Sequence, residues 1–314
     1  LKYYFIKIIT MKDDALSLCL QNESNQETTQ FSELSTLALV SLINSADITV
    51  AYAVKKELPA IAKAVDKICE RLRQGGRIFY VGAGTSGRLA VLDSAECPPT
   101  FGVSPSLVQA IIAGGHDAML QAVENIEDNQ QAAIEELQRR EVNSNDVVIG
   151  IAASGRTPFT VAALQYAKQI NALTLSITTR GKGMMSEIAD LSIAPDVGAG
   201  VLTGSTRMKS GTAQKMILGM LSTSVMTRLG KVHKNLMVDV VASNEKLQRR
   251  AEGIVSEVCG ITTQKAAELL KMVNYHPRKA ILMYELHLSV EKVEQMTQRY
   301  PYHSLQQQLA LFNE

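Results

Sequence analysis

The chain has 314 residues, 46% of them hydrophobic and 20% charged, and its 32 basic side chains against 31 acidic ones leave a net charge of +1. That length and composition carry one large domain or two modest ones with a real core, and the balanced charge excludes a bulk field aimed at nucleic acid or an anionic membrane. Four cysteines (Cys19, Cys69, Cys97, Cys259) without a C-x-x-C pair, and five histidines without ligand spacing beside them, argue against a disulfide framework or a metal site and for a reducing cytoplasm.

The opening LKYYFIKIIT is apolar but short and stands before Met11, so it is expected to be an extension rather than a leader. No segment is expected to reach the ~18 apolar residues of a membrane span. Over 34–72 apolar residues recur at helical spacing (Leu37, Val40, Ile43, then Ile61, Val65, Ile68), and Pro59 is placed to open a second helix. Five short apolar runs follow: RIFYVG (77–82), LVQAIIAGG (107–115), DVVIGIAASG (146–155), ALTLSIT (172–178) and DLSIAP (190–195). Turn residues and helical-period stretches separate them, a rhythm that predicts a parallel sheet with helices on both faces. Residues 206–229 then read as one long apolar helix, either core or an oligomer face. From about Asn244 the pattern is helical alone, which predicts a small helical appendage.

GAGTSG at 82–87 spells G-x-G-x-x-G between the first strand and a helix. A dinucleotide fold also needs an acidic residue at the end of the second strand, to hold the ribose hydroxyls. Here that strand ends IAGG (112–115), and Asp117 falls in the following helix. The informative residues are the hydroxyls Thr85 and Ser86, at a turn whose helix N–H groups favour an anion. Ser86-Gly87-Arg88 after the first strand is echoed by Ser154-Gly155-Arg156-Thr157 after the third. Two hydroxyl-rich turns at one sheet edge supply the donors that a phosphate monoester needs without a metal; the competing reading is that these hydroxyls cap helices.

Glu96 precedes Cys97, Pro98 and Pro99, so a helix is expected to end at this glutamate. A carboxylate there is unfavourable by ~0.3–1 kcal/mol, which tilts the residue towards function. Glu127 sits among Glu124, Asp128, Glu135 and Glu136, which by themselves read as a solvated acidic helix face. Arg88, Arg156, Arg207 and Lys209 are cationic candidates for a phosphate or a carboxylate, or for structural ion pairs.

GAGTSGRLAVLDSAECPPTFG (82–102), AVENIEDN (122–129), GIAASGRTPF (150–159), LTGSTRMKSGTAQKM (202–216) and NLMVDVVASNEKL (235–247) together resemble the N-acetylmuramic acid 6-phosphate etherases, colinearly over roughly 34–250. The resemblance implies an α/β fold: a sugar isomerase (SIS) domain with a five-stranded parallel sheet flanked by helices, preceded by a helical arm and followed by a small helical domain. In numbers this gives an extension and arm over 1–60, the SIS domain over 61–235 and a UBA-like helical domain over 236–314. It implies a lyase that eliminates D-lactate from the C3 ether of a phosphosugar and rehydrates the product, with no cofactor. It also implies a homodimer with active sites at the subunit interface.

By the same resemblance Glu96 and Glu127 are the catalytic carboxylates, with the proton donor and acceptor unassigned between them. Glu96 lies about 15 Å of helix beyond its phosphate turn. Either that helix is short and bent, or the glutamate serves the partner's site. At 21–25 the chain reads QNESN where the family usually carries Thr-Glu-x-Arg-Asn, which bears on substrate specificity. Two other functions share the fold: a sugar-phosphate sensor similar to glucokinase regulatory protein, which resembles a tandem of two such domains, and an aldose–ketose isomerase.

Overall fold

A computed structural model describes residues 28, 30–123 and 125–311; the segments at 1–10 and 21–25 lie outside the described residues. Two helices lead in. In α1 (Thr36–Lys56) the Ser35 side chain accepts the Ala38 N–H, and α2 (Leu58–Arg73) has Pro59 in its first turn, as its sequence predicts. Strands and helices then alternate: β1 (Ile78–Gly82), α3 (Gly84–Phe101), β2 (Val108–Ile112), α4 (Asp117–Leu120), α5 (Gln130–Arg139), β3 (Val147–Ile151), α6 (Pro158–Gln169), β4 (Leu173–Ile177), α7 (Met184–Ile188) and β5 (Leu191–Ile193). All strand pairs are parallel, in the order β2-β1-β3-β4-β5.

Strand alternation divides the core in two. Ile78 and Tyr80 of β1, with Val147 and Ile149 of β3, pack on the side of α1, α2, α3 and a later helix, α8 (Lys209–Arg228). Phe79, Val81 and Val148 face Ala133 and Leu137 of α5 and Phe159 and Leu164 of α6. Every residue of β1 and β3 is buried, which explains runs of apolar residues rather than an alternation with polar ones.

Three expectations need correction. Helix α3 does not stop at Glu96; it continues through Pro98 and Pro99 to Phe101 and ends at Gly102, where φ is +62°. The prolines remove only donors near the helix end, while Cys97 and Phe101 are buried in the core and hold the last turn in place. The long apolar helix, α8, begins at 209 rather than at 206 because residues 206–208 form turns first. Finally, α1 has 21 residues, and an 18-residue stretch of it has a mean hydropathy of 1.6, long and apolar enough to cross a membrane. Asn44 and Asp47 lie near its middle, and it packs along α8 while leaving Leu37 75% and Tyr52 66% exposed.

The C-terminal body has its own core, with Ile254, Leu270, Ile281 and Val293 at its centre. Its helices are α9 (Glu245–Cys259), α10 (Thr263–Met272), α11 (Pro277–Glu285), α12 (Val290–Arg299) and α13 (Leu305–Ala310); side chains of Asn244, Thr262, Ser289 and Ser304 cap four of them. Buried Arg278 joins this body to the end of α8. Its Nε donates to Asp239 Oδ1 at 2.6 Å, Nη1 to the His303 carbonyl and Gln308 Oε1 at 3.0 Å each, and Nη2 to the Gly230 carbonyl. Lys231 Nζ stands 3.6 Å from Asp239 Oδ2, an ion pair longer than a hydrogen bond.

Candidate active site

The chain leaves β1 towards β2 on one side and leaves β3 towards β4 on the other, so the neighbouring ends of β1 and β3 form a topological switch point. Gly82 and Ile151 are paired there, on strands spaced by about 4.8 Å. Open α/β sheets take ligands in the crevice at such a point. Both hydroxyl-rich turns begin at it.

In the first turn, α3 starts at Gly84 with Ala83 as its N-cap residue, and its first helical bond is Gly87 N–H to the Ala83 carbonyl at 3.2 Å. The N–H groups of Gly84, Thr85 and Ser86 therefore have no partner along the helix. Gly87 permits a close approach, since a Cβ there would lie 2.5 Å from Ile112 Cγ1 and 2.8 Å from the Gly82 carbonyl oxygen. The Thr85 methyl touches the first turn of α8, 3.4 Å from where a Cβ would stand on Gly211. Ser86, 8% exposed, donates its hydroxyl to Gln214 Oε1 at 2.9 Å. Neither residue is the N-cap, so capping does not account for this turn.

In the second turn Gly155 has φ +67°, and a Cβ there would meet Thr178 Cγ2 at 2.8 Å. Ser154 is exposed, and its Oγ accepts the Arg156 N–H at 3.3 Å. Thr157 precedes Pro158 as the N-cap of α6, yet its side chain makes no cap bond. Here too capping leaves the hydroxyl unexplained.

Arg88 is engaged elsewhere: Nε donates to the Met119 carbonyl at 3.2 Å and Nη2 to that of Gln121 at 2.8 Å, clasping the loop after β2. Glu127 is exposed on a single 3-10 turn, Ile126–Asp128, that packs against α6. Ile126 folds back to 3.5 Å from the Cβ position of Gly114, just past β2, so Glu127 stands near the sheet edge despite its sequence distance from the strand. Glu96 is exposed on unbroken α3, about 18 Å along the helix axis from Gly84 at ~1.5 Å per residue. The turns are thus brought together with Glu127 nearby, and Glu96 stands apart.

Of the remaining cations, Arg156 and Arg207 are exposed. Burial pulls the Lys209 ammonium below its ordinary value, against the pull of Asp47 and with the repulsion of Arg180. Lys209 and Arg180 share a narrow notch with Gly198, Ser205 and Thr206. Gln214 was missed by reading motifs, although a lone amide among Ala213, Ile217, Leu218 and Leu221 signals a buried polar group that needs a partner.

Comparison with known proteins places this geometry. Residues 60–168 match the N-terminal SIS domain of glucokinase regulatory protein, residues 121–224 the SIS domain, and residues 234–302 the C-terminal lid domain of glucokinase regulatory protein. The N-acetylmuramic acid 6-phosphate etherase of Clostridium beijerinckii is 54% identical over 265 residues, covering 84% of this chain and 87% of that protein. N-acetylmuramic acid 6-phosphate etherase 1 of Enterococcus faecalis is 47% identical over 272 residues, covering 87% and 91%. Among solved structures, a phosphoheptose isomerase from Francisella tularensis superposes with a TM-score of 0.50 at 19% identity, over 62% of this chain and 100% of that one, a likeness of fold alone.

Proposed function

This chain belongs to the N-acetylmuramic acid 6-phosphate etherase family, and from that premise we propose that the crevice between β1 and β3 grips the 6-phosphate of its substrate. The enzyme is a carbon–oxygen lyase that converts N-acetylmuramic acid 6-phosphate and water to N-acetylglucosamine 6-phosphate and D-lactate. The reading of the crevice rests on one observation: two helix N-termini carrying hydroxyls that do not cap them meet at adjacent strand ends. Thr85 and Ser86 on one side and Ser154, Gly155, Arg156 and Thr157 on the other supply the donors, with Gly87 allowing the close approach, and helix N-termini favour the charge. Arg88 acts as the clasp of the 119–121 loop rather than as a ligand.

An ether oxygen leaves poorly unless a proton reaches it and the neighbouring carbon is acidic. Opening the sugar exposes its aldehyde, which acidifies the C2 hydrogen. One carboxylate takes that proton as the C3–O bond breaks, and a carboxylic acid protonates the departing lactate oxygen. Water then adds across the double bond, hydroxide to C3 and a proton to C2. Glu96 and Glu127 are the residues we assign to these transfers, which demand one ionised and one protonated carboxyl group.

The position of Glu96 along an unbroken helix supports a composite site, in which it serves the crevice of a second subunit. The apolar, exposed face of α1 supports a homodimer, because a patch of this kind marks an interface. We divide the chain at about residues 60 and 235 into arm, SIS domain and C-terminal helical domain, and we place the enzyme with its phosphorylated substrate in the cytoplasm. Incubation with N-acetylmuramic acid 6-phosphate should release D-lactate, measured with a D-specific lactate dehydrogenase. No lactate from folded enzyme at micromolar concentration would sink the reading.

A further inference from the structure

We infer that Gln214 is a positioning residue for the proposed phosphate grip, because its amide decides which way the Ser86 hydroxyl proton points; this rests on the phosphate reading of the β1 turn. Gln214 is 1% exposed and lies in α8 just beyond Gly211, which abuts Thr85. Its Oε1 accepts the Ser86 hydroxyl at 2.9 Å, while among the described residues its Nε2 has no hydrogen-bond partner. A buried amide NH2 without an acceptor is costly, and methionine would fill similar space without that cost. The amide is therefore unexplained by packing.

A serine hydroxyl has one proton. While Gln214 Oε1 holds it, Ser86 offers an incoming anion only lone pairs, which repel phosphate oxygens. A half-turn of the amide about its last side-chain bond exchanges its two ends. Nε2 then donates to Ser86 Oγ, and the Ser86 proton is released to the crevice, beside the N–H groups of Gly84, Thr85 and Ser86. The nitrogen that lacks a partner in the free protein is the donor that the bound state uses. Anion binding and amide rotation are coupled through one hydroxyl, with no covalent bond changed.

Three variants test this: Gln214→Glu, which keeps the shape and, while ionised, can only accept; Gln214→Met, which holds Ser86 in neither sense; and Ser86→Ala. The readouts are the Kd of inorganic phosphate by calorimetry, and KM against kcat for N-acetylmuramic acid 6-phosphate. In Gln214→Glu the phosphate Kd and KM should rise together by at least about tenfold, in Gln214→Met by about two- to fivefold, with kcat changing less than either. In a Ser86→Ala background, Gln214→Met, which adds no charge, should add nothing to the loss of phosphate affinity. A packing role reverses the order, since glutamate preserves both the shape and the bond to Ser86; that order, or an unchanged phosphate Kd in all variants, overturns the inference. Should Gln214→Glu not fold, the cycle of Gln214→Met with Ser86→Ala decides, and additive losses overturn it. D-lactate release by the unaltered enzyme is measured alongside. Its absence counts against the etherase reading alone, because the phosphate Kd is read without turnover.

Discussion

Arg88 Nη2 donates to the Gln121 carbonyl at 2.8 Å, so the first turn of α3 holds the loop that leads to Glu127. Arg88→Met keeps the aliphatic stem and removes both bonds to the loop, including that to Met119. The expected result is a kcat lower by roughly tenfold to a hundredfold with inorganic-phosphate affinity nearly unchanged. A phosphate affinity that falls while kcat holds would make Arg88 a ligand instead of a clasp.

Glu96→Gln keeps size and hydrogen bonding but cannot ionise. It should bind substrate and lose roughly 10²–10⁴-fold in turnover, with Glu127→Gln impaired as well. Mixing Glu96→Gln subunits with Ser86→Ala, Ser154→Ala subunits distinguishes the two placements of Glu96. If it serves the partner's crevice, each mixed dimer has one site with both defects and one with neither, and activity returns to about half that of a wild-type dimer. Demonstrated subunit exchange without recovery would put Glu96 in its own subunit's site.

The face of α1 offers a simpler check. Leu37→Glu combined with Val40→Glu places charge on side chains that are already exposed in the single chain, so folding should be unaffected. Sedimentation should show a shift from dimer to monomer, accompanied by loss of lyase activity. A wild-type protein that sediments as a monomer at full activity would dismiss the composite site.

His276 gives stability a pH dependence. Burial lowers its pKa to about 4, against the attraction of Asp239 and aided by the repulsion of Lys279, Arg278 and Lys231. An unfolded histidine titrates near pH 6.5, so between about pH 6.5 and 4 the unfolded chain binds the extra proton and stability falls as pH falls. At pH 5 the loss from this group should be about 2 kcal/mol relative to pH 8. Urea unfolding of wild type and His276→Gln at the two pH values measures it; an equal pH response in both would show that another group is responsible.

The architecture was legible because its signals are local. Five apolar runs and their turns give β1 to β5, and Pro59 marks the start of α2. The Pro98-Pro99 pair misled because tertiary burial of Cys97 and Phe101 outweighs a local preference against helix. The candidate site was legible only in its turns. No pattern within GAGTSG reveals that Ser86 bonds to Gln214 on α8, or that Asp93 accepts hydrogen bonds from Tyr80 and Ser222, because these partners meet only after the sheet has folded. Arg88 reads in the sequence as a candidate ligand because its charge is visible there, whereas the Met119 and Gln121 carbonyls it bonds are not.

The Arg278 junction has a consequence for the order in which the molecule is made. All five strands and α8 precede the C-terminal body in the chain, so the sheet can assemble while the remainder is still being synthesised. Arg278 emerges after Gly230 and Asp239, two of its acceptors, but before the His303 carbonyl and Gln308, the other two. Until then its guanidinium is incompletely satisfied and stays hydrated, and the body cannot close around it. Synthesis of the 303–308 segment thereby becomes the locking step, and chains cut short before it carry a finished sheet beside an open C-terminal body.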